Sequence, residues 1–325
     1  MATESGRFLV TGATGCIGAW TVRVLLDEGT PVVATHLNGD FRRFQLVSLG
    51  REDEVEFLRL DITHPGALAQ VVQQHQITHI VHLAGLQTPF CAADPPVGAM
   101  VNVVGTVNVF EAIRSSGRQI GLAYASSSAV YGNIASQPAG VVMDSSALHP
   151  ETLYGVYKAA NEGTAKVYAA THGIASIGLR PFSIYGPGRD QGMTSDPTKA
   201  ILAAVTSTPF RINFGGNLAL TYAADCAHAF IASARAAAGS SDAVCLSIPG
   251  RRTDMAQFVD MVHDLLPGAR GLISYEKKPI PVPALLGATA LEDAVGKVPN
   301  RPLEQGVAET IDHFRQALAA GFIPR

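Results

Sequence analysis

The chain of 325 residues is poor in charge: only 16% of its side chains are Asp, Glu, Lys or Arg, and the net charge is -3. Such a surface offers no long-range attraction to a polyanion, so we expect no nucleic-acid partner. The sequence also lacks an uninterrupted apolar run of the ~18 residues that a membrane span requires, so no membrane association is predicted. These two absences leave small molecules and proteins as partners.

Cysteine is scarce as well. The four cysteines stand far apart and include no C-x-x-C pair, which excludes a disulfide scaffold and gives no zinc signature; they are Cys16, Cys91, Cys226 and Cys245. Widely spaced thiols are typical of a reducing compartment. We therefore expect a cytoplasmic protein without a bound metal.

Hydrophobic residues, at 47%, and glycine, with 32 residues, are by contrast abundant. In the first 180 residues short apolar runs alternate with helical stretches, a pattern typical of buried parallel strands joined by crossover helices. The predicted strands are 8–11, 31–35, 55–60, 79–83, 120–125 and 175–179, and the predicted helices are 17–28, 66–74, 96–115 and 152–171. The fold class predicted is a doubly wound α/β sheet.

A glycine-rich turn, Gly-Ala-Thr-Gly-Cys-Ile-Gly, follows the first predicted strand directly and opens the first predicted helix. Glycines allow the backbone to approach a pyrophosphate there, and the helix amino terminus supplies free N–H groups. We therefore predict a dinucleotide cofactor. Cys16 is interpreted as a small apolar filler, although a helix start can also lower the pKa of a thiol. The predicted cofactor contacts of the turn are Gly12, Thr14, Gly15, Cys16, Ile17 and Gly18.

Because of this turn and the alternating strands and helices, residues 1–180 are predicted to form a Rossmann-type dinucleotide-binding domain. Residues 221–248 are expected to rejoin it through one helix and one strand. The turn-rich segment after Arg180 is predicted to begin a smaller substrate-binding lobe. This lobe is assigned to residues 181–220 and 249–325, with a final helix near 303–319. With roughly 150 residues per domain, the chain length fits such a division.

The end of the second strand leaves the choice between NAD and NADP open. An acid normally binds the cofactor ribose there, but this chain has His36, which removes the repulsion toward a 2′-phosphate. Arg42 and Arg43 offer positive charge in what reads as a loop, whereas Asp40 offers a carboxylate for the ribose.

Tyr154 and Lys158 stand at i and i+4 on one helical face, downstream of the Ser126–Ser128 run that follows an apolar strand. A nearby ammonium stabilises a phenolate, so we expect Lys158 to lower the pKa of Tyr154 toward that of a working acid or base. A strand-end serine hydroxyl can hold the reacting oxygen. His82 and Tyr157 are interpreted as structural.

Together these motifs resemble the extended short-chain dehydrogenase/reductases of the nucleotide-sugar epimerase and dehydratase type, over nearly the whole chain. The segments that carry the resemblance are the glycine turn 11–18, Leu60-Asp61-Ile62, His82-Leu83-Ala84-Gly85, Asn102 with Gly105 and Thr106, Val130-Tyr131-Gly132, Tyr154 with Lys158, and residues 180–187.

The resemblance implies roles for individual residues. Ser127 would hold the catalytic hydroxyl, with Ser128 a close second, and Lys158 would also bind the nicotinamide ribose. Asp61 and Ile62 would contact the adenine, and Asn102 would be structural or lie beside the ribose. The remaining predicted cofactor contacts are His36, Arg42, Leu83, Ala84, Gly85 and Pro181. It also implies a homodimer, in which the helices 96–115 and 152–171 would form a four-helix bundle.

Three departures from the family pattern limit the substrate. Ser128-Ala129 replaces the Asp-Glu pair of the 4,6-dehydratases, which excludes that elimination. Ser183 replaces a frequent Asn, and the segment 218–222 lacks an Arg; both commonly meet a nucleotide diphosphate, so a nucleotide sugar is disfavoured. Arg189 could replace these groups or bind a carboxylate or phosphate. The predicted substrate contacts are Gln87, Thr88, Ser128, Ser183 and Arg189.

The leading hypothesis is an NAD(P)-dependent oxidoreductase that transfers a hydride between nicotinamide and a secondary alcohol or ketone of a small sugar, polyol or sugar acid. One alternative is a nucleotide-sugar 4-epimerase with tightly held NAD. Another, from a different class, is a dinucleotide-sensing regulator without turnover.

Overall fold

Seven parallel strands form the central sheet in the computed structural model, which describes residues 6–132, 141–280, 282, 286–287 and 289–323. The strands are β1 (Phe8–Thr11), β2 (Val32–His36), β3 (Glu56–Arg59), β4 (His79–His82), β5 (Gly121–Ala125), β6 (Ser176–Arg180) and β10 (Ala243–Ser247). Their order is β10-β6-β5-β4-β1-β2-β3. The predicted doubly wound parallel sheet is confirmed.

Helices cover both faces of this sheet because consecutive strand residues point to opposite sides. In β1, Phe8 and Val10 belong to one buried cluster and Leu9 to the other. Most of the strands are buried on both faces, which explains their continuous apolar runs. The two edge strands are exceptions. Val244 is exposed in β10, and Glu56 and Arg59 are exposed in β3, so the expectation of a strand buried on both faces is wrong for β3.

In the amino-terminal part, three helices lie close to the predicted ranges 17–28, 66–74 and 152–171, the predicted helix 96–115 is divided into shorter pieces, and two short helices were not predicted. The helices are α1 (Cys16–Asp27), α2 (Arg42–Ser48), α3 (Ala67–Gln74), α4 (Thr88–Ala93), α5 (Pro95–Ala99), α6 (Gly105–Ser116) and α7 (Leu153–His172). A π-helical turn, Met100–Val104, joins α5 to α6. The helix α2 corrects the interpretation of Arg42 and Arg43 as loop residues, because both lie in its first turn.

Beyond Arg180 the described chain forms two small sheets and further helices. The strands β7 (Ser183–Tyr185), β9 (Asn217–Tyr222) and β11 (Arg251–Asp254) form one sheet, and β8 (Phe210–Ile212) pairs with β12 (Ile273–Tyr275). The helices are α8 (Asp196–Val205), α9 (Ala223–Ala237), α10 (Met255–Leu265), α11 (Leu291–Val295) and α12 (Leu303–Ala319). α9 packs on α1, and β10 pairs with β6.

The strand order reverses at β1. Its neighbours are β2 on one side and β4 on the other, and the crossovers leave the sheet in opposite directions. A crevice therefore opens beyond the carboxyl ends of β1 and β4, the position at which open α/β sheets bind ligands.

Within the described residues, the continuous helical stretch Pro95–Ser116 is long and apolar enough, with a mean hydropathy of 1.4, to cross a membrane by composition alone. Buried core helices have the same composition. This one packs against the sheet through Val109, Phe110 and Ile113, while Val97 and Met100 remain exposed.

Candidate active site

A cleft of about 340 Å³ lies at this crevice, between the glycine turn, the end of β5, the start of α7 and the loop after β7. It brings together most of the predicted site residues, although they come from distant parts of the sequence. Those that line it are Gly12, Gly15, Cys16, Ile17, Gly18, Leu83, Gly85, Gln87, Thr88, Ser127, Ser128, Tyr154, Lys158, Pro181, Ser183 and Arg189.

The glycine turn forms a cradle in which a side chain would have no room on two sides. Gly12 has a φ of +68°, and a Cβ there would lie 2.7 Å from the backbone nitrogen of Ala84; a Cβ on Gly18 would overlap the carbonyl of Gly12. Gly15 is the residue before α1, and because it has no side chain, it does not cap the first N–H groups of the helix. The free N–H groups at this helix start suit a pyrophosphate, so the cradle fits a dinucleotide.

The loop 186–192 is fastened over the glycine turn by contacts that were not predicted from the sequence. The indole of Trp20 donates to the carbonyl of Pro187 at 2.9 Å. Arg43 donates to the carbonyl of Thr14 at 3.1 Å and forms an ion pair with Asp190 at 2.6 Å. Arg43 is thus committed to closing this loop. We call this set of contacts the strap.

Ser127 and Tyr154 both line the cleft, and the Ser127 hydroxyl is near enough to the Tyr154 phenol to lower its pKa. Ser127 follows β5, and its Oγ accepts from the backbone nitrogen of Ala129 at 3.1 Å. Thr152 caps α7 by accepting from Gly155 at 3.1 Å, which sets the direction of the helix that carries Tyr154. Two separate elements therefore place both hydroxyls at one point of the cleft.

Burial raises the pKa of Tyr154, while the nearby Ser127 hydroxyl and the charge of Arg189 oppose this rise. The expected lowering by Lys158 is therefore wrong for this structure. The ammonium lies 5.5 Å from the ring centroid, and burial has the larger effect. Tyr154 is accordingly a neutral phenol at neutral pH, ready to donate a proton.

Lys158 is buried beneath the tyrosine. Its Nζ donates to the carbonyl of Ala125 at 2.7 Å, and burial lowers its pKa to about 8, with the nearby Cys91 opposing the change. The helical spacing of four residues brings its Nζ and the Tyr154 ring to the same side of α7.

A buried ion pair is hydrogen-bonded to Ser126, the residue that follows β5. Arg180 and Glu162 make two hydrogen bonds of 2.8 and 2.7 Å, and Glu162 also accepts from Ser126 at 2.5 Å. Arg180 further donates to the phenol of Tyr131 at 2.7 Å. Because a carboxylate and a guanidinium so deeply buried need each other, this network fixes β5, β6 and α7 relative to one another.

Asn102 lies behind the cleft and does not line it, so of the two roles considered for it the structural one agrees with the geometry. Its side-chain amide donates to the backbone carbonyl of Gly98 at 3.0 Å, and its backbone carbonyl accepts from the side-chain amide of Asn161 at 2.9 Å. His82 is likewise structural, because it is bonded to Thr11 and Thr106, and burial lowers its pKa to about 3.

Cys16 lines the cleft, and burial raises the pKa of its thiol to about 11. A thiol so hard to ionise agrees with the interpretation as an apolar filler.

Predicted contacts with the adenosine end of the cofactor lie outside the cleft lining, near the ends of β2 and β3. His36 accepts from the backbone nitrogen of Gly39 at 2.9 Å, and Arg42 is exposed and paired with Asp40 at 2.7 Å. Asp61 accepts from the backbone nitrogen of Thr63 at 2.9 Å, which with the Thr63 hydroxyl lowers its pKa. Ile62 is buried beneath Gly105, and Ala84 lies against Gly12.

The positions at which the chain departs from the nucleotide-sugar pattern offer few cations. Ser183 is buried in β7 at the cleft wall, and Leu218 and Leu220 are fully buried in β9. Among the described residues that line the cleft, the charged side chains are Lys158, Arg189 and Glu151.

Comparison with known proteins agrees with this geometry. The NAD dependent epimerase/dehydratase family matches residues 8–244. A UDP-glucose 4-epimerase of Mycolicibacterium smegmatis is 28% identical over 323 residues, which cover 95% of this chain and 98% of that protein.

Solved structures give the same result for the fold. A UDP-glucose 4-epimerase of Thermus thermophilus in complex with NAD superposes with a TM-score of 0.78 at 23% identity, over 95% of this chain and 99% of that one. A partial consensus L-threonine 3-dehydrogenase superposes with a TM-score of 0.78 at 25% identity, over 95% of this chain and 99% of that one.

The chain belongs to the NAD dependent epimerase/dehydratase family, and it is an NAD-dependent enzyme of the extended short-chain dehydrogenase/reductase type. The resemblance predicted from the motifs is thereby confirmed. The proteins compared include both an epimerase and a dehydrogenase, so membership of the family does not determine which reaction this chain catalyses.

Proposed function

We propose that this enzyme transfers a hydride between nicotinamide and a secondary alcohol or ketone of a small sugar, polyol or sugar acid. The observation that carries the proposal is that the hydroxyls of Ser127 and Tyr154 line one cleft, which is continuous with the glycine cradle. A pair of hydroxyls at this point can hold and protonate one substrate oxygen, which is what carbonyl reduction requires.

In the direction of reduction, Ser127 donates a hydrogen bond to the carbonyl oxygen and Tyr154 donates the proton that makes it a hydroxyl. In the direction of oxidation, Tyr154 accepts the hydroxyl proton. Lys158 holds its positive charge near the resulting phenolate. From its position in the cleft it would also bind the ribose of the nicotinamide. The cofactor, when bound, accepts or returns the hydride.

We further propose that NAD is preferred over NADP. Arg43, one of the two arginines that offered charge for a 2′-phosphate, is already paired with Asp190. Arg42 is paired with Asp40, whose pKa the pairing lowers to about 2, so a carboxylate stays near the expected ribose position. An acid at this position repels a phosphate and suits a free 2′-hydroxyl.

A nucleotide-sugar 4-epimerase is the second candidate, favoured by the full-length similarity to the Mycolicibacterium smegmatis enzyme. The cleft argues against it, because Ser183, Leu218 and Leu220 supply no charge for a diphosphate. A diphosphate taken from water without cationic partners loses more hydration than it regains in contacts.

The test begins with release and identification of any cofactor from the purified protein. A panel of free sugars, polyols and sugar acids is then screened with NAD and NADP for absorbance in the reduced-nicotinamide band. Net reduction with a free substrate and none with UDP-sugars is expected. Conversion of UDP-galactose without added cofactor would establish the epimerase instead, and a Tyr154→Phe protein that matches wild type in every reaction would favour the regulator.

We also propose a homodimer that acts in the cytoplasm. Exposed apolar side chains gather on neighbouring helices at one side of the molecule: Val97, Met100, Leu153, Val156 and Val167. Such a patch gains free energy when a second copy covers it. The four cysteines are all free thiols, as a reducing compartment requires.

A further inference from the structure

We propose that the substrate of this cleft carries one carboxylate, which Arg189 binds, while Gln87 accepts a hydrogen bond from a neighbouring substrate hydroxyl and the reacting hydroxyl meets Ser127 and Tyr154. This inference rests on the proposed function and narrows its substrate to hydroxy acids and the corresponding oxo acids. Neutral polyols and diphosphate-bearing sugars would be poor substrates.

Arg189 has much of its hydrogen-bonding capacity unused. Its Nε is buried without a partner, and its terminal nitrogen reaches only the hydroxyl of Thr194, at 3.5 Å. The adjacent acid, Asp190, is turned away toward Arg43. A guanidinium presents several donors in a planar fork, and a carboxylate is the partner whose two oxygens match that fork.

Gln87 approaches the same point from the other side of the cleft. Its Oε1 is also buried without a hydrogen-bond partner. A Cβ built on Gly192 would lie 2.7 Å from this oxygen and 2.9 Å from the terminal nitrogen of Arg189, so both side chains border one small space. Gly192, with a φ of +99°, leaves that space unfilled. A donor and an acceptor that are both buried without partners are costly unless a ligand satisfies each of them. A hydroxy acid can do so, because its carboxylate accepts from Arg189 and its hydroxyl donates to the Oε1 of Gln87.

The space belongs to the catalytic cleft. Gln87, Arg189 and Gly192 line it together with Ser127 and Tyr154. The positive charge of Arg189 is near enough to lower the pKa of the Tyr154 phenol against the effect of burial. A molecule held on Arg189 is therefore within reach of the reacting pair.

The charges indicate one carboxylate and no larger anion. Of the two cations that line the described part of the cleft, Lys158 already donates to Ala125, which leaves Arg189. Glu151, at the exposed mouth, adds a negative charge and has contacts of its own. One guanidinium neutralises one carboxylate, whereas a diphosphate would keep an unmatched charge.

The pyrophosphate of the cofactor is a second anion that could bind the Arg189 guanidinium. The charge of Arg189 opposes the rise in the pKa of Cys16, so Arg189 is also near the start of α1. The two anions share their chemistry, and the experiment separates them.

The experiment compares hydroxy acids of three to six carbons with alditols of matching configuration, such as gluconate with glucitol. Wild-type protein is expected to oxidise the acid with at least about tenfold higher kcat/KM, mostly through KM, because the charged contact is made in both ground and transition state. Binding is measured independently of turnover, as the rise in Tm that each compound produces in the presence of NADH.

Three variants and a control test the residues. Arg189→Met should lower the acid-to-alditol ratio of kcat/KM by about 10- to 100-fold, and Arg189→Lys by less, since it keeps the charge without the fork. Gln87→Glu should also lower the ratio, because it adds a repelling carboxylate. Arg315→Met, which removes an exposed arginine paired with Asp312, is the matched control and should leave the ratio unchanged.

The outcomes distinguish the two levels of the proposal. Turnover of alditols but not acids, with no rise in Tm from any acid, would overturn the carboxylate site and leave the proposed oxidoreductase intact. A rise in Tm with acids that Arg189→Met abolishes, without turnover of any compound, would support the site and overturn the reaction. Weaker NADH binding by Arg189→Met with an unchanged acid-to-alditol ratio would assign Arg189 to the pyrophosphate and overturn the inference.

Discussion

Tyr154 and Lys158 show how strongly burial acts on single groups in this site. A phenol and an ammonium one helical turn apart would, in water, make the phenol more acidic. In the cleft, burial raises the pKa of Tyr154 and lowers that of Lys158 to about 8. Each group is therefore shifted toward its neutral form: Tyr154 stays protonated at neutral pH, whereas Lys158, with a pKa of about 8, is still mostly an ammonium there.

Removal of the Tyr154 hydroxyl tests its role in proton transfer. We expect Tyr154→Phe to reduce kcat by about 10²- to 10⁴-fold, the usual contribution of a general acid or base. Tyr157→Phe is the matched control, because that phenol donates to the carbonyl of Pro95 and lies outside the cleft lining. Steady-state kinetics with circular dichroism would check both; equal losses in the two variants would contradict the assignment.

Lys158 predicts a pH dependence of stability. Its pKa is about 8 in the folded protein and 10.5 when unperturbed, so between these values the unfolded chain binds more protons and stability rises with pH. Below pH 8 burial of the ammonium carries its full cost, on the order of 3 kcal/mol. The variant Lys158→Met does not carry this unfavourable contribution to the free energy of folding.

The measurement is the free energy of unfolding in urea at pH 7 and pH 9.5. The stability of Lys158→Met relative to wild type should be highest at pH 7 and decline toward pH 9.5. A constant difference across this range would show that the ammonium does not titrate there.

At the scale of elements, the loop 186–192 acts as a cover of the glycine turn. Trp20 in α1, Arg43 in α2 and Asp190 in the loop come from three parts of the sequence and meet above one ligand site. A cofactor seated in the cradle would lie beside this strap, because the loop and the glycine turn border the same space.

Loosening the strap should therefore speed up the release of NADH. We expect Asp190→Asn or Arg43→Met to raise the dissociation rate by about two- to fivefold, as for a partly exposed ion pair. Stopped-flow nicotinamide fluorescence measures the rate. Arg270→Met, which breaks an exposed pair with Asp264 far along the chain, serves as control, and equal rates in all proteins would show that the loop moves independently of the pair.

For the whole molecule, the apolar side chains on α5, α7 and the π-helical turn predict self-association. A chain of 34.1 kDa with this patch should sediment as a species of twice that mass at micromolar concentration. Val156→Asp together with Met100→Asp should shift it to the monomer, because each charge would be buried unpaired.

Leu37→Asp changes an equally exposed apolar side chain elsewhere and should leave the mass unchanged. A wild-type protein that sediments only at the monomer mass would disprove the dimer.

Much of the framework could be predicted from residue patterns. The apolar runs of β1, β4 and β6 and the helices α1, α7 and α12 were predicted to within one or two residues, because burial on a sheet imposes its period on the chain. The helix α2 was missed, since Arg42, Arg43 and Gln45 conceal its buried Phe44 and Val47. The strands β7, β8 and β12, with three residues each, are too short for a periodic pattern to appear in the sequence.

The amino-acid sequence by itself determined the fold class, the glycine cradle and the spacing of Tyr154 and Lys158, because each depends on residues near one another in the chain. Only the tertiary structure decided which cations remain available: Arg43 closes the strap on Asp190, whereas Arg189, a single residue before Asp190, faces the cleft. It also reversed the expected pKa shift of Tyr154. Charge and burial depend on long-range contacts, and no local pattern in the sequence encodes the distance between residues 43 and 190.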